Sequence, residues 1–287
     1  MAAPVFRFAP SPNGRLHLGH ALSAGLNARM AERVGGRFLL RVEDIDRERS
    51  KPELKALMLD DLHWLGLEWE RPVRRQSEHM ADYAGALERL KAMGLVYPAF
   101  MSRGEVKAHT DDAHWPRDPD GAPLYPSRDK DLSEGERARR IAEGQAHSWR
   151  LDMAEALKRA PPSLSWQEWM DAGLQTGRRV EAQPEAWGDV MIARSTVPTS
   201  YHLSVVLDDA RQGVSHVVRG QDLYEATAVH RLLQALLDLP EPTYHHHRLI
   251  LGSDGRKLAK SEGSAGIAVL RERGWTPEQV WREVSLA

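Results

Sequence analysis

Between Val5 and His20 the chain changes backbone state twice within a few residues. Val5 to Phe8 reads as a short strand. Pro10, Pro12 and Gly14 then interrupt the backbone, which excludes a continuous strand or helix through them. From about Gly19 an Ala- and Leu-rich helical pattern runs to about Val34. Strand, stiff loop and helix N-terminus, in that order, form the junction at which α/β proteins bind phosphate. The free N–H groups and the positive end of the helix both face the ligand there. His17 and His20 stand where the loop becomes helix, and Gly19, lacking a Cβ, lets a base or a phosphate come close to the backbone. Taken alone, the two histidines read equally as capping or surface residues.

The chain has 287 residues, enough for one large or two modest domains with a core. A formal charge of −2 shows no global basic excess, so an RNA-binding surface would be a local patch. The absence of cysteine excludes disulfides, thiolate metal sites and cysteine nucleophiles. No apolar run reaches membrane-span length, and no charged leader precedes an apolar segment. The expectation is a cytoplasmic protein without a membrane partner.

After a Gly35-Gly36 turn, Arg37 to Val42 reads as a strand with Glu43-Asp44-Ile45-Asp46 at its C-terminal end, the ligand-binding edge of a parallel sheet. Leu54 to Leu65 and Met80 to Met93 have helical spacing, so the chain opens β-α-β-α-α, half of a nucleotide-binding sheet. From Tyr97 to about Arg194 periodicity weakens and Trp, Pro, Asp and Arg scatter. This reads as a small insertion with a charged helix at 133–144 and strands at 148–153 and 190–193. Tyr201 to Leu207 reads as a returning strand, and Ser215 to Arg219 as another that feeds a helix to about Leu237. Leu249 to Leu251 reads as a strand, and 269–273 and 277–284 as short helices. The divisions expected are residues 1–96 and 195–265 as halves of one core, 97–194 as the insertion and 266–287 as a helical tail.

Lys257-Leu258-Ala259-Lys260-Ser261 lies among Gly and Ser residues. Alone it reads as a solvated basic loop. Paired lysines on such a turn also suit a triphosphate and the charge that builds as pyrophosphate leaves. The stretch from Ser11 to His20 resembles the His-x-Gly-His signature of class I aminoacyl-tRNA synthetases, and the lysine string resembles their Lys-Met-Ser-Lys-Ser signature, departing from it at Leu258 and Ala259. With Arg41 to Asp46 and Asp208 to Leu223 in order between them, the chain resembles the glutamyl/glutaminyl-tRNA synthetase catalytic core from about Phe6 to Ser261.

That resemblance implies an α/β, Rossmann-like class I synthetase core split by a small inserted domain. It implies a glutamate pocket of Arg7, Phe8, Ala9, Pro10, Ser11, Glu43, Tyr201 and Arg219. It also implies ATP contacts at His17, Gly19, His20, Lys257, Lys260 and Ser261, with His17, His20, Lys257 and Lys260 acting in the chemistry and Mg2+ arriving with ATP. The charges suit the substrate. Arg7 and Arg219 offer planar donors for carboxylates, Glu43 an anion for the ammonium, and Ser11 and Tyr201 neutral hydrogen bonds. A charged hydrogen bond is worth roughly 1.5–3 kcal/mol, most of which a guanidinium loses against an uncharged amide. Glutamate is thereby favoured over glutamine.

The sequence stops soon after the lysine string, so no anticodon-binding domain is expected. The short form resembles the branch of this family that activates glutamate without tRNA and attaches it to queuosine in the anticodon loop of tRNA(Asp). A minimal enzyme charging a tRNA 3′ end, or a non-catalytic binding protein, are the alternatives. That branch often holds zinc in the insertion, and the corresponding positions here are Ala99, Met101, Tyr125 and Asp129. Alanine and a thioether cannot replace thiolates, so no zinc is expected and packing around Phe100, Met101 and Trp115 must hold the insertion. On a strand, His245 and His247 face away from His246, so this tract does not converge on a metal. The Arg137-Ala138-Arg139-Arg140 run reads as a solvated face or as a phosphate contact. A monomer is expected.

Overall fold

The computed structural model describes residues 2–251 and 266–286; Lys257, Lys260 and Ser261 lie outside them. The opening is β1 (Val5–Phe8), α1 (Leu18–Arg33), β2 (Arg37–Val42), α2 (Pro52–Trp64), β3 (Glu70–Arg75) and α3 (Met80–Ala92). Then come β4 (Val96–Ala99), α4 (Arg103–His109), α5 (Glu134–Ala142), β5 (Ser148–Leu151), α6 (Met153–Arg159), β6 (Ser165–Trp169), β7 (Gly177–Glu181) and β8 (Met191–Arg194). The chain continues through α7 (Tyr201–Arg211), β9 (His216–Gly220), α8 (Thr227–Leu236), β10 (Thr243–His247), α9 (Ile267–Glu272) and α10 (Pro277–Glu283).

Seven strands form one sheet in the order β3-β2-β1-β9-β10-β6-β7. Every neighbouring pair from β3 to β6 is parallel, and β7 closes the edge antiparallel. β2 and β3, which follow β1, build outward on one side of it, and β9 stands on the other side with β10, β6 and β7 beyond it. The switch point therefore lies between β1 and β9, and the crevice beyond their C-terminal ends is where such sheets bind ligands. Alternate residues of a strand face opposite layers. Phe6 and Val218 accordingly pack with Leu22, Leu26 and Met30 of α1, while Val5 and Val217 join Leu203, Val206, Val229 and Leu233 of α7 and α8. Burial on both faces is why all of β1 is buried. Asn27, inside α1, donates to the Val218 carbonyl at 3.0 Å and ties the helix to the switch-point strand. A Cβ on Gly25 would meet the Trp281 ring at 2.7 Å, so α10 can lie across α1 only because position 25 is bare.

A second, three-stranded antiparallel sheet, β4-β5-β8, lies within the span read as the insertion. Its hub is the buried Asp189, which accepts from the Tyr97 hydroxyl at 2.7 Å, the Met153 N–H at 2.9 Å and the Lys130 ammonium at 2.9 Å. At the four positions weighed above as zinc counterparts, Ala99 and Tyr125 share a small apolar cluster with Tyr97, and Met101 packs against it. The Tyr125 hydroxyl donates to Asp129, which also accepts the Phe100 N–H at 3.0 Å. A polar pair thus stands beside the expected packing, and Trp115 adds an Nε1–H bond to the Leu124 carbonyl at 2.9 Å.

The described elements depart from the sequence reading in four places. Tyr201 to Leu207 is the start of helix α7, not a strand; Leu203 to Asp209 are buried without a break, and a continuous buried run carries no period to tell helix from strand. The strand expected at Leu249–Leu251 lies upstream, where the histidine tract forms β10 between β9 and β6. Residues 165–181, placed in the insertion, extend the large sheet as β6 and β7. Glu70 to Arg75, charged and holding Pro72, was not foreseen as a strand; it is an edge strand, where both features are tolerated. In α5, Arg139 is bracketed by Glu136 and Glu143, Arg140 pairs with Glu136, and Arg137 donates to the Lys130 carbonyl. Most of that positive charge is spent within the helix.

Candidate active site

Beyond the ends of β1 and β9 opens a cavity of about 690 Å³. Arg7, Phe8, Ala9, Pro10, Ser11, Glu43, Tyr201 and Arg219 line it, together with His17, Gly19 and His20. Every described residue of the expected glutamate and ATP sites therefore meets in one hollow.

Its floor is a chain of buried charges. Arg7 donates Nε to Asp209 Oδ1 at 3.0 Å, and Arg41 donates Nη1 to the same oxygen at 2.7 Å. Arg41 Nη2 then donates to Glu43 Oε1 at 3.2 Å. Burial alone would raise the Asp209 carboxyl, but Arg7 and Arg41 hold it below its ordinary value. Glu43 goes the other way. Burial outweighs Arg41 and Arg7 and pushes it up to about 6. Asp208, next along α7, accepts from Arg74 at 2.7 Å, Gln76 at 2.9 Å and the Tyr83 hydroxyl at 3.0 Å. These bonds clamp α7, and so Tyr201 at its first turn, onto β3 and α3. Asp44 is structural as well, accepting from Lys55 and from the N–H and hydroxyl of Ser77.

Arg219, buried near the end of β9, donates Nε to His246 Nε2 at 3.1 Å, Nη1 to His230 Nδ1 at 3.0 Å, and Nη2 to the Leu223 carbonyl at 3.0 Å and the Thr227 hydroxyl at 2.8 Å. At the other wall, His17 is the N-cap of α1. Its Nδ1 accepts the Gly19 N–H at 3.1 Å, and its own N–H donates to His20 Nδ1 at 3.1 Å. Both Nδ1 atoms accept, so each ring carries its proton on Nε2, a donor suited to a phosphate oxygen. The capping role and the ligand-facing role fall on the same histidines.

Arg41, Asp209, His230 and His246 complete the site but were given no role from sequence. Arg41 had a readable signal: it precedes Glu43 by two on a strand and so shares its face. Asp208-Asp209 in an otherwise apolar stretch was another. A second cavity, of about 830 Å³, shares Ser11, Asn13, Glu43 and Tyr201 with the first and is bordered by Arg47, Arg49 and Arg194.

The sequence profile described as "tRNA synthetases class I (E and Q), catalytic domain" matches residues 5–287. The chain is 45% identical to the "Glutamyl-Q tRNA(Asp) synthetase" of Rhodobacter capsulatus over 98% of its own length and 100% of that relative. It is 39% identical to the protein of the same name from Symbiobacterium thermophilum, over 96% of this chain and 83% of that one. Against "Glutamate--tRNA ligase 2" of Syntrophus aciditrophicus it is 34% identical and spans 57% of that relative's length. Its fold is similar to the crystal structure of a glutamate-tRNA synthetase from Elizabethkingia anophelis, with a TM-score of 0.80 at 24% identity, covering 99% of this chain and 61% of that one. A switch-point cavity, a histidine-capped helix and a profile match across the sheet lead to one conclusion: this chain belongs to the class I tRNA synthetases of the E and Q family, as a catalytic domain that uses ATP.

Proposed function

We propose that this protein activates L-glutamate with ATP in the absence of RNA and then transfers the glutamyl group to queuosine in the anticodon loop of tRNA(Asp). The observation that carries the reading is the meeting of Arg7, Glu43 and Arg219 with the His17–His20 helix end in one cavity. Glutamate brings two carboxylates and one ammonium. Arg219 and the Nη groups of Arg7 receive carboxylate oxygens, and Glu43 receives the ammonium. The α-carboxylate oxygen attacks the α-phosphorus of ATP, the bond to the bridging oxygen breaks, and pyrophosphate leaves with its Mg2+. The protein positions and neutralises; the step requires no protein nucleophile. His17 and His20 act on the phosphates, and Lys257 and Lys260 on the departing pyrophosphate.

In the second step a hydroxyl of the queuosine diol attacks the glutamyl carbonyl, and AMP leaves. The second cavity reaches the shared wall of Ser11, Glu43 and Tyr201, and Arg47, Arg49 and Arg194 at its border suit RNA phosphates. The queuosine acceptor is supported by the names of the relatives matched at 45% and 39% identity. No described helix is long and apolar enough to cross a membrane; the reading is of a monomer acting in the cytoplasm. The test is to incubate labelled glutamate, ATP and queuosine-bearing tRNA(Asp) with the protein and digest the RNA. Label on an anticodon-loop nucleoside supports the proposal. Label on the 3′ terminal adenosine overturns it in favour of a minimal tRNA-charging enzyme.

A further inference from the structure

Two buried arginines, Arg7 and Arg219, line the cavity, and their surroundings treat the two charges differently. Arg7 meets a carboxylate, Asp209, at 3.0 Å. Arg219 pairs with no carboxylate among the described residues. Its acceptors are two imidazoles, a carbonyl and a hydroxyl. On the buried floor Arg7 and Arg41 meet Asp209 and Glu43 directly, whereas the buried carboxylate nearest to Arg219, Glu168, reaches it only through the His246 ring. Where the substrate side chain meets Arg219, glutamate offers a carboxylate and glutamine an uncharged amide, so a guanidinium with no carboxylate in direct contact favours glutamate.

The arginine dictates the histidine tautomers, because a guanidinium only donates. His246 accepts at Nε2 and so holds its proton on Nδ1, facing Glu168 Oε2 at 2.9 Å. His230 accepts at Nδ1, and its Nε2–H goes to His202 Nδ1 at 3.2 Å. Protonating either ring would turn N–H against N–H. Burial, reinforced by Arg219, holds His230 well below its ordinary value, and burial lowers His246 to about 4.

We propose that His230 and His246 are positioning residues that hold Arg219 through neutral acceptors, leaving its charge to the substrate, and that this neutral cradle sets the preference for glutamate over glutamine. The inference rests on the reading that the cavity takes glutamate. Two matched pairs of variants test it. His230→Asn keeps a neutral acceptor near the Nδ1 position, and His230→Asp puts a carboxylate there; His246→Gln and His246→Glu do the same near Nε2. The 287-residue protein is titrated with L-glutamate and with L-glutamine by calorimetry. His230→Asn and His246→Gln are expected to keep the parent's glutamate-to-glutamine preference within about threefold, and His230→Asp and His246→Glu to lose at least about tenfold of it. A purely structural bond would be served equally by either member of a pair. If the parent binds glutamate and both members of a folded pair keep the same preference, the cradle is overturned while the pocket stands. Should one pair fail to fold, the other decides. If the parent binds no glutamate, both readings fall.

Discussion

Asp209 Oδ1 receives Arg7 Nε at 3.0 Å and Arg41 Nη1 at 2.7 Å, so one carboxylate oxygen from α7 joins β1 to β2 beneath the cavity. All three side chains are buried, which makes the loss of the anion costly. Asp209→Asn is expected to destabilise the protein by about 3–5 kcal/mol, because two guanidinium groups lose the charge between them. The denaturant midpoint checks this. An unchanged midpoint would mean that water or another anion already balances them.

Glu43 sets a pH dependence with two opposite signs. Its folded value of about 6 lies above the ordinary 4.5, so folding favours the protonated form. The associated stability is fully present below about 4.5 and is lost as pH rises through 6. Glutamate binding runs the other way, since the ammonium needs the carboxylate. Affinity is expected to fall by about tenfold per pH unit below 6. Glu43→Gln should bind weakly with a flat profile between pH 5 and 8. A variant that keeps the parent's slope would place the ammonium elsewhere.

Lys260→Ala should slow adenylate formation by at least about a hundredfold while glutamate affinity stays within about twofold, the signature of an interaction made only as charge builds on the leaving group. Rapid-quench kinetics and calorimetry separate the two. Parallel losses would contradict a transition-state role.

The insertion should hold without zinc. Metal analysis of the purified protein should find less than stoichiometric zinc. Tyr125→Phe, which takes a donor from the buried Asp129, should cost about 1–3 kcal/mol of stability. A neutral effect of that substitution would assign the insertion's stability to apolar packing alone.

The parts of the site legible in the sequence were those that break a local pattern. Pro10, Pro12 and Gly14 between a strand and a helix announce a loop whatever the rest of the fold does. β patterning put Glu43 and Arg219 at strand ends, while their place in the pocket came from the resemblance to the synthetase core. What stayed hidden depended on partners distant in sequence. Tyr201 was assigned to the pocket although its helix was read as a strand, since the buried face of α7 is set by α3 and α8, not by its own period. His246 looked like one third of a polar tract. Its use follows from Glu168 on β6 and Arg219 on β9, which only the sheet order brings to its two ring nitrogens. β3 was missed because an edge strand needs little apolar content.

ATP–pyrophosphate exchange with L-glutamate, measured in the rigorous absence of RNA, tests most directly whether this cavity joins the amino acid to the nucleotide. The account predicts exchange that requires glutamate, is not supported by glutamine at equal concentration, and is lost in Arg219→Gln. Exchange that appears only when tRNA is added, or that glutamine supports equally well, would contradict it.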